Sequence, residues 1–192
     1  AVNLAGKIQA VVTVTDGDGD VAVDKVDIGS VIRFEDDGPT ARISLVKDAS
    51  VTHDESAGLQ NATATPLIPG DANDNDVADL SSLFAGVATP GIGLAAVGYA
   101  QSATAVVSAA GSNAGQDGEG ATTVLSLALQ GNNGLDSGLK TTDGATIRLY
   151  VEGDLVVGRV AGGADNGKAA FAVAIGSDGK LSVAQYIALK HP

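Results

Sequence analysis

The 192-residue sequence has no cysteine, no methionine and no tryptophan. Without cysteine no disulfide can rigidify the fold, so some other cross-link must do so. No run approaches the roughly twenty apolar residues of a membrane-spanning helix, and no charged segment followed by an apolar one marks a secretory leader. Aromatic residues amount to 3%, which removes the ring platforms that sugar-processing clefts favour and leaves a core of small aliphatic side chains. Basic residues are also scarce: 11 Lys and Arg stand against 23 Asp and Glu, a net charge of −12. That balance excludes nucleic acid as a partner, because its binders need a basic patch, and it disfavours anionic lipid surfaces. It suits divalent cations and a protein kept soluble outside the cell by its charge. A chain that starts at Ala1 and lacks methionine reads as a monomeric segment of a longer polypeptide.

Catalytic patterns are missing too. The two histidines, His53 and His191, lie far apart, and no nucleophile elbow, phosphate loop or His-Glu-x-x-His occurs. Carboxylates are so abundant that no chosen pair is informative. The expectation is a binding or structural module, not an enzyme, with His53 a polar loop or strand residue.

What is plentiful is glycine, 26 residues, together with valine, alanine and Asn/Asp turn formers. Residues 7–15 alternate, with Ile8, Ala10, Val12 and Val14 on one face, the period of a half-buried strand. Val21 and Val23 begin a second strand, and residues 26–34 a third. Strands are also expected over 42–47, with Ile43 and Leu45 inward, over 104–108, and over 122–129, with Leu125, Leu127 and Leu129 on one face. Asp76 is placed to cap a short helix over 77–85, with Val77, Leu80, Leu83 and Phe84 on one side. The last third is the clearest: Ile147, Leu149 and Val151 alternate, a turn follows at Glu152-Gly153-Asp154, and an Asp178-Gly179 turn of the hairpin kind joins the last strands, running to Leu189. Short strands with regular turns predict an all-β, antiparallel, immunoglobulin-like β-sandwich with long calcium-binding loops and one short helix.

Two acidic clusters carry the chemistry. Asp16-Gly17-Asp18-Gly19-Asp20 sets three carboxylates at alternate positions, and glycine lets the backbone fold tightly enough to converge them on a cation. Asp71, Asn73, Asp74 and Asp76 form the second. Neither is an EF-hand: the sixth position from Asp16 is Val21 and that from Asp71 is Asp76, where the EF-hand needs glycine. The second cluster is locally similar to the Asp-x-Asn-Asp-Asn linker by which cadherins hold calcium between sandwich domains. Asp54 and Glu55 can both ligate if they lie in a loop. Asp36 and Asp37, before Gly38-Pro39, sit where an ion would stiffen a junction. The predicted ligands for Ca²⁺ are thus Asp16, Asp18, Asp20, Asp36, Asp37, Asp54, Glu55, Asp71, Asn73, Asp74 and Asp76.

Larger stretches resemble a known group. Val12-Thr13-Val14-Thr15-Asp16-Gly17-Asp18-Gly19-Asp20 and Ile32-Arg33-Phe34-Glu35-Asp36-Asp37-Gly38-Pro39 are similar to the repeat-to-repeat seam of giant RTX adhesins exported by type I secretion. Ser137-Gly138-Leu139-Lys140-Thr141-Thr142-Asp143-Gly144, Leu155-Val156-Val157-Gly158-Arg159-Val160, Phe171-Ala172-Val173-Ala174-Ile175 and Val183-Ala184-Gln185-Tyr186 resemble the C-terminal half of such a repeat. The resemblance implies that residues 1–39 are tail strands of a preceding repeat and 40–192 the main sandwich domain. It also implies a calcium-dependent, extracellular, cell-surface module of attachment and biofilm formation. Two roles compete: capture of a surface peptide, protein or glycan, with the 71–76 cluster and the 111–120 loop shaping the site, or a structural extender that calcium only stiffens.

Overall fold

The computed structural model describes residues 2–55, 74–91, 97–116 and 118–191. These residues form an all-β, antiparallel fold of the sandwich class, divided into two compact units: residues 1–41 with 112–121, and residues 42–111 with 122–192.

In the first unit, β1 (Val2–Asn3) pairs with β4 (Arg33–Phe34). Between them, β2 (Gln9–Thr15) and β3 (Val21–Asp27) make a hairpin in continuous register from Gln9↔Asp27 to Thr15↔Val21. Asp27 ties its base, one carboxylate oxygen accepting the Gly6 N–H at 2.6 Å and the other the Gly29 N–H at 2.7 Å. Residues 26–34 are therefore not one strand: after β3 the chain makes a single 3-10 turn, Gly29–Val31, and only then enters β4. Thr40 and Asn113 exchange backbone hydrogen bonds of 2.7 and 2.9 Å, which brings residues 112–121 into this unit.

The second unit is built on a seven-stranded sheet. Its elements in chain order are β5 (Ser44–Leu45), β6 (Asp76–Val77), β7 (Gly98–Gln101), β8 (Val107–Ser108), β9 (Leu135–Lys140), β10 (Thr146–Glu152), β11 (Leu155–Ala161), β12 (Ala169–Ile175) and β13 (Leu181–Gln185). The sheet order is β6-β7-β13-β12-β11-β10-β9, and β5 pairs separately with β8. Successive hairpins join β9 to β13, as the turn residues require. At Gly158/Arg159 the β11–β12 register shifts by one residue, leaving Ala170 as the extra residue of a bulge. One buried cluster holds Leu155, Val157, Ala169, Ala172, Ala174, Ala184, Tyr186 and Phe84. The other holds Ile147, Val160 and Ala170, with Phe171, Ile187 and Leu189 packed on it. The core is thus made of small side chains, as the lack of tryptophan and methionine demands. Phe84 in this core stacks on Tyr99, the ring centroids 6.2 Å apart.

Several expectations are corrected. The helix over 77–85 does not form. Asp76 and Val77 pair with β7, and the chain then makes turns closed by Leu83 N–H to Leu80 O at 3.0 Å and Phe84 N–H to Ser81 O at 3.2 Å. Phe84 reaches the core while Leu83 stays 46% exposed, so the helical spacing came from two core anchors and not from a continuous face. Ile43 and Leu45 are exposed, not inward, and the flanking strands shrink to two residues in β5 and β8. The last strand stops at Gln185, with Leu189 only bridging Thr141. Residues 122–129 keep the expected alternation, Leu125, Leu127 and Leu129 being half-buried, yet form no strand ladder among the described residues.

Arg159 fastens the chain around 88–89 to the sheet. Its guanidinium donates to both Glu152 carboxylate oxygens (2.5 and 2.6 Å), to the Ala88 and Gly167 carbonyls and to the Thr89 hydroxyl. Such a forked donor is suited to a bidentate carboxylate contact.

Candidate calcium site and a buried polar cluster

The turn of the β2–β3 hairpin places Asp16, Asp18 and Asp20 so that one ligand atom from each lies within 4.8 Å of the others. It is the one such group of three among the described residues, and all three side chains are exposed. The loop closes through Asp16 N–H to Asp20 O at 3.0 Å, and Gly19 takes a φ of +100° that a side chain would strain. One Asp16 carboxylate oxygen accepts the N–H groups of Asp18, Gly19 and Asp20 at 3.3, 3.1 and 2.9 Å. The Asp18 carboxyl beside it, and then the Asp20 N–H, hold the Asp16 carboxyl below the usual carboxylate range.

These residues fit a hard cation. Calcium takes about six to eight oxygen ligands, from carboxylates, backbone carbonyls and water. With one Asp16 oxygen committed to the loop, its second oxygen and the carboxylates of Asp18 and Asp20 remain to face an ion, and close like charges favour one.

The other expected ligands are distributed differently. Asp36 and Asp37 lie exposed after β4 and join no such group. Asp71 and Asn73 lie outside the described residues. Asp54, Glu55, Asp74 and Asp76 fall in a part-buried to buried region of the second unit, where two of them act as anchors. Asp76 receives the His53 ring: Nδ1 and Oδ1 are 2.7 Å apart, with the two side chains 9% and 4% exposed. Glu55 accepts hydrogen bonds from the Gln185 side-chain amide and from Leu189 N–H, the latter at 2.8 Å, and lies 3.5 Å from His191 Nε2. Asp74 is buried, and its neighbour Asn75 bonds Thr52 in both directions at 2.9 Å and accepts the Gln101 N–H at 3.0 Å.

His53 is a polar loop residue, and its ring is almost wholly enclosed beside Asp76. Its ring lies against β7, where a Cβ at position 98 would come within 2.3 Å of His53 Cε1. Only glycine leaves that space. Gly98 within a glycine-rich stretch was the one signal of close approach; the pairing of His53 with a carboxylate 23 residues away gave none. Of the 111–120 loop, expected to help shape a ligand site, residues 112–120 belong to the first unit and Gly111 to the second.

A family model described as a domain of unknown function, DUF5801, matches residues 40–192. The chain belongs to the DUF5801 family. No curated protein and no solved structure matches it. The DUF5801 match contains the His53–Asp76 cluster and the whole seven-stranded sheet, while the Asp16, Asp18 and Asp20 turn precedes it.

Proposed function

We propose that the chain is a calcium-dependent, non-enzymatic module of an extracellular bacterial adhesin of the RTX type, exported by type I secretion and holding a surface peptide, protein or glycan in attachment and biofilm formation. The observation that carries this reading is the convergence of Asp16, Asp18 and Asp20 on one point at the tip of a hairpin, in a protein with no disulfide to stiffen it. Support for ligand capture comes from the second unit. Residues 53–55 and 74–76 are held in place by the His53–Asp76 contact and by the hydrogen bonds of Asn75 and Glu55, and binding groups commonly sit on loops positioned by such a rigid scaffold.

A specific observation favours a second reading. The three-carboxylate turn lies before the matched domain, where an ion would stiffen a connecting segment and recognise nothing. Screening the chain on glycan, peptide and protein arrays with calcium and with a chelator separates the two. The adhesin reading expects calcium-dependent capture of at least one ligand class. A melting temperature that drops on chelation with every array blank assigns the extender role, and a melt insensitive to chelator contradicts both.

A further inference from the structure

Asparagine followed by glycine occurs twice, at Asn133-Gly134 and Asn166-Gly167. This dipeptide carries a reaction of its own. With no side chain on the glycine to obstruct it, the glycine nitrogen attacks the asparagine Cγ and closes a cyclic imide. Both pairs are tied in the same way. Asn133 Oδ1 accepts the Val151 N–H, Gly134 N–H donates to Leu149 O, and the Gly134 carbonyl accepts the Arg148 guanidinium, each at 2.8 Å. Asn166 Oδ1 accepts the Gly162 N–H at 2.7 Å, Gly167 N–H donates to Val160 O at 2.8 Å, and the Gly167 carbonyl accepts Arg159 at 2.9 Å. In each pair the amide and the nitrogen that must attack it are held on separate partners, so the reaction waits for a local opening.

The settings of the two pairs differ. Asn166 lies in the turn between β11 and β12, and these strands are flanked on their other sides by β10 and β13. Arg159 is 17% exposed and fixed by Glu152. Asn133 leads into β9, the last strand of the sheet. Among the described residues, the outer side of β9 is bonded only at its far end, by Lys190 N–H to Lys140 O. Its inner ladder is interrupted, with Ser137, Gly138 and Leu139 set against Ile147 alone, and Arg148 is exposed. Segments with few neighbours and exposed backbone hydrogen bonds open at lower free energy than interior strands.

We propose that Asn133 is a site of spontaneous modification, forming isoaspartate when β9 lifts from β10, and that the product keeps the strand released. The Gly134 nitrogen gives up its proton and bonds to Asn133 Cγ; the Cγ–Nδ2 bond breaks and the amide nitrogen leaves as ammonia. Water then opens the imide. Addition at Cγ yields aspartate. Addition at the main-chain carbonyl carbon of residue 133 breaks its bond to the Gly134 nitrogen and leaves the chain running through Cγ. The extra main-chain carbon carries the Gly134 N–H away from Leu149, and the amide oxygen that held Val151 becomes part of the backbone. β10 is then the open edge of the sheet, and an unblunted edge is a template for pairing with another chain. The modification rests on neither calcium nor the adhesin reading.

Ageing the full chain in mildly alkaline buffer, beside a sample in denaturing urea, tests this by peptide mapping with fragmentation that separates isoaspartate from aspartate. Dividing each site's native rate by its own rate in urea removes differences in intrinsic reactivity. The quotient for Asn133 should exceed that for Asn166 by about tenfold or more, as an edge opening predicts. Amide exchange on the aged chain gives a second readout: Gly134 and Val151 should lose protection in proportion to the isoaspartate at position 133, while Gly167 keeps its own. Equal quotients, a larger quotient at Asn166, no native conversion of Asn133 over a time in which urea converts it, or isoaspartate at position 133 with Gly134 and Val151 still protected would each overturn the proposal.

Discussion

Strands of equal length stand in opposite relations to water in the two units. β2 and β3 are seven residues each, valine-rich, and exposed at every position. β11 and β12 are also seven residues each, rich in valine and alanine, and every position is buried or half-buried. Val12 is 56% exposed and Val157 is fully buried. Alternation within a strand therefore fixes which side chains share a face and says nothing about whether a second layer covers that face. Cover comes from elsewhere in the chain. Phe84, Leu80 and Val87 pack on one side of the large sheet and Ile187 and Leu189 on the other. Among the described residues no such segment is packed on the hairpin, and its order rests on the ladder and on Asp27 at its base.

The largest effect that sharpens this contrast is expected from Ile147→Ala, which empties a fully buried site between β9 and β11. It should cost about 3 kcal/mol of unfolding free energy, read as a lower urea midpoint. Gly98→Ala should follow at about 2 kcal/mol, because the added Cβ must displace the His53 ring or shift β7. The same change should disturb the histidine's NMR signals, which a purely local strand defect would leave alone.

Alkaline pH should act on the second unit through Tyr186. Burial, with a smaller contribution from Tyr99, raises its pKa from 10.0 to about 12. In the unfolded chain the phenol ionises first, so deprotonation favours unfolding. Stability should be intact below about pH 10 and fall between there and about pH 12. Absorbance at the tyrosinate band against urea midpoints across that range checks both the late ionisation and the loss. The smallest effect belongs to Val12→Ala: on an exposed strand it should change stability by no more than about 0.5 kcal/mol. A loss near that of Ile147→Ala would mean that the hairpin face is covered in solution.

The parts of the fold that could be read in advance are those set by local chemistry. The hairpin turn at Asp178-Gly179 and the alternation of β10 to β12 needed only neighbouring residues, as did the three-carboxylate turn. The parts that could not be read depend on distant partners. Leu80 and Phe84 mimic a helical face because two successive turns deliver both to one core cluster. β9 is interrupted by Gly138 and carries Asp136, a weak strand signal that β10 overrides by pairing. Glu55 was legible as an oxygen donor, but its commitment to Gln185 and Leu189 links residues 130 and 134 apart in the chain.

The central claim, a calcium site at the hairpin tip, is tested most directly by titrating calcium into the isotope-labelled chain and following backbone amides. The account predicts saturable shifts at Asp18, Gly19 and Asp20 that vanish in the Asp18→Asn variant. Amides at this turn that stay unmoved up to millimolar calcium, or that move equally in the variant, would contradict it.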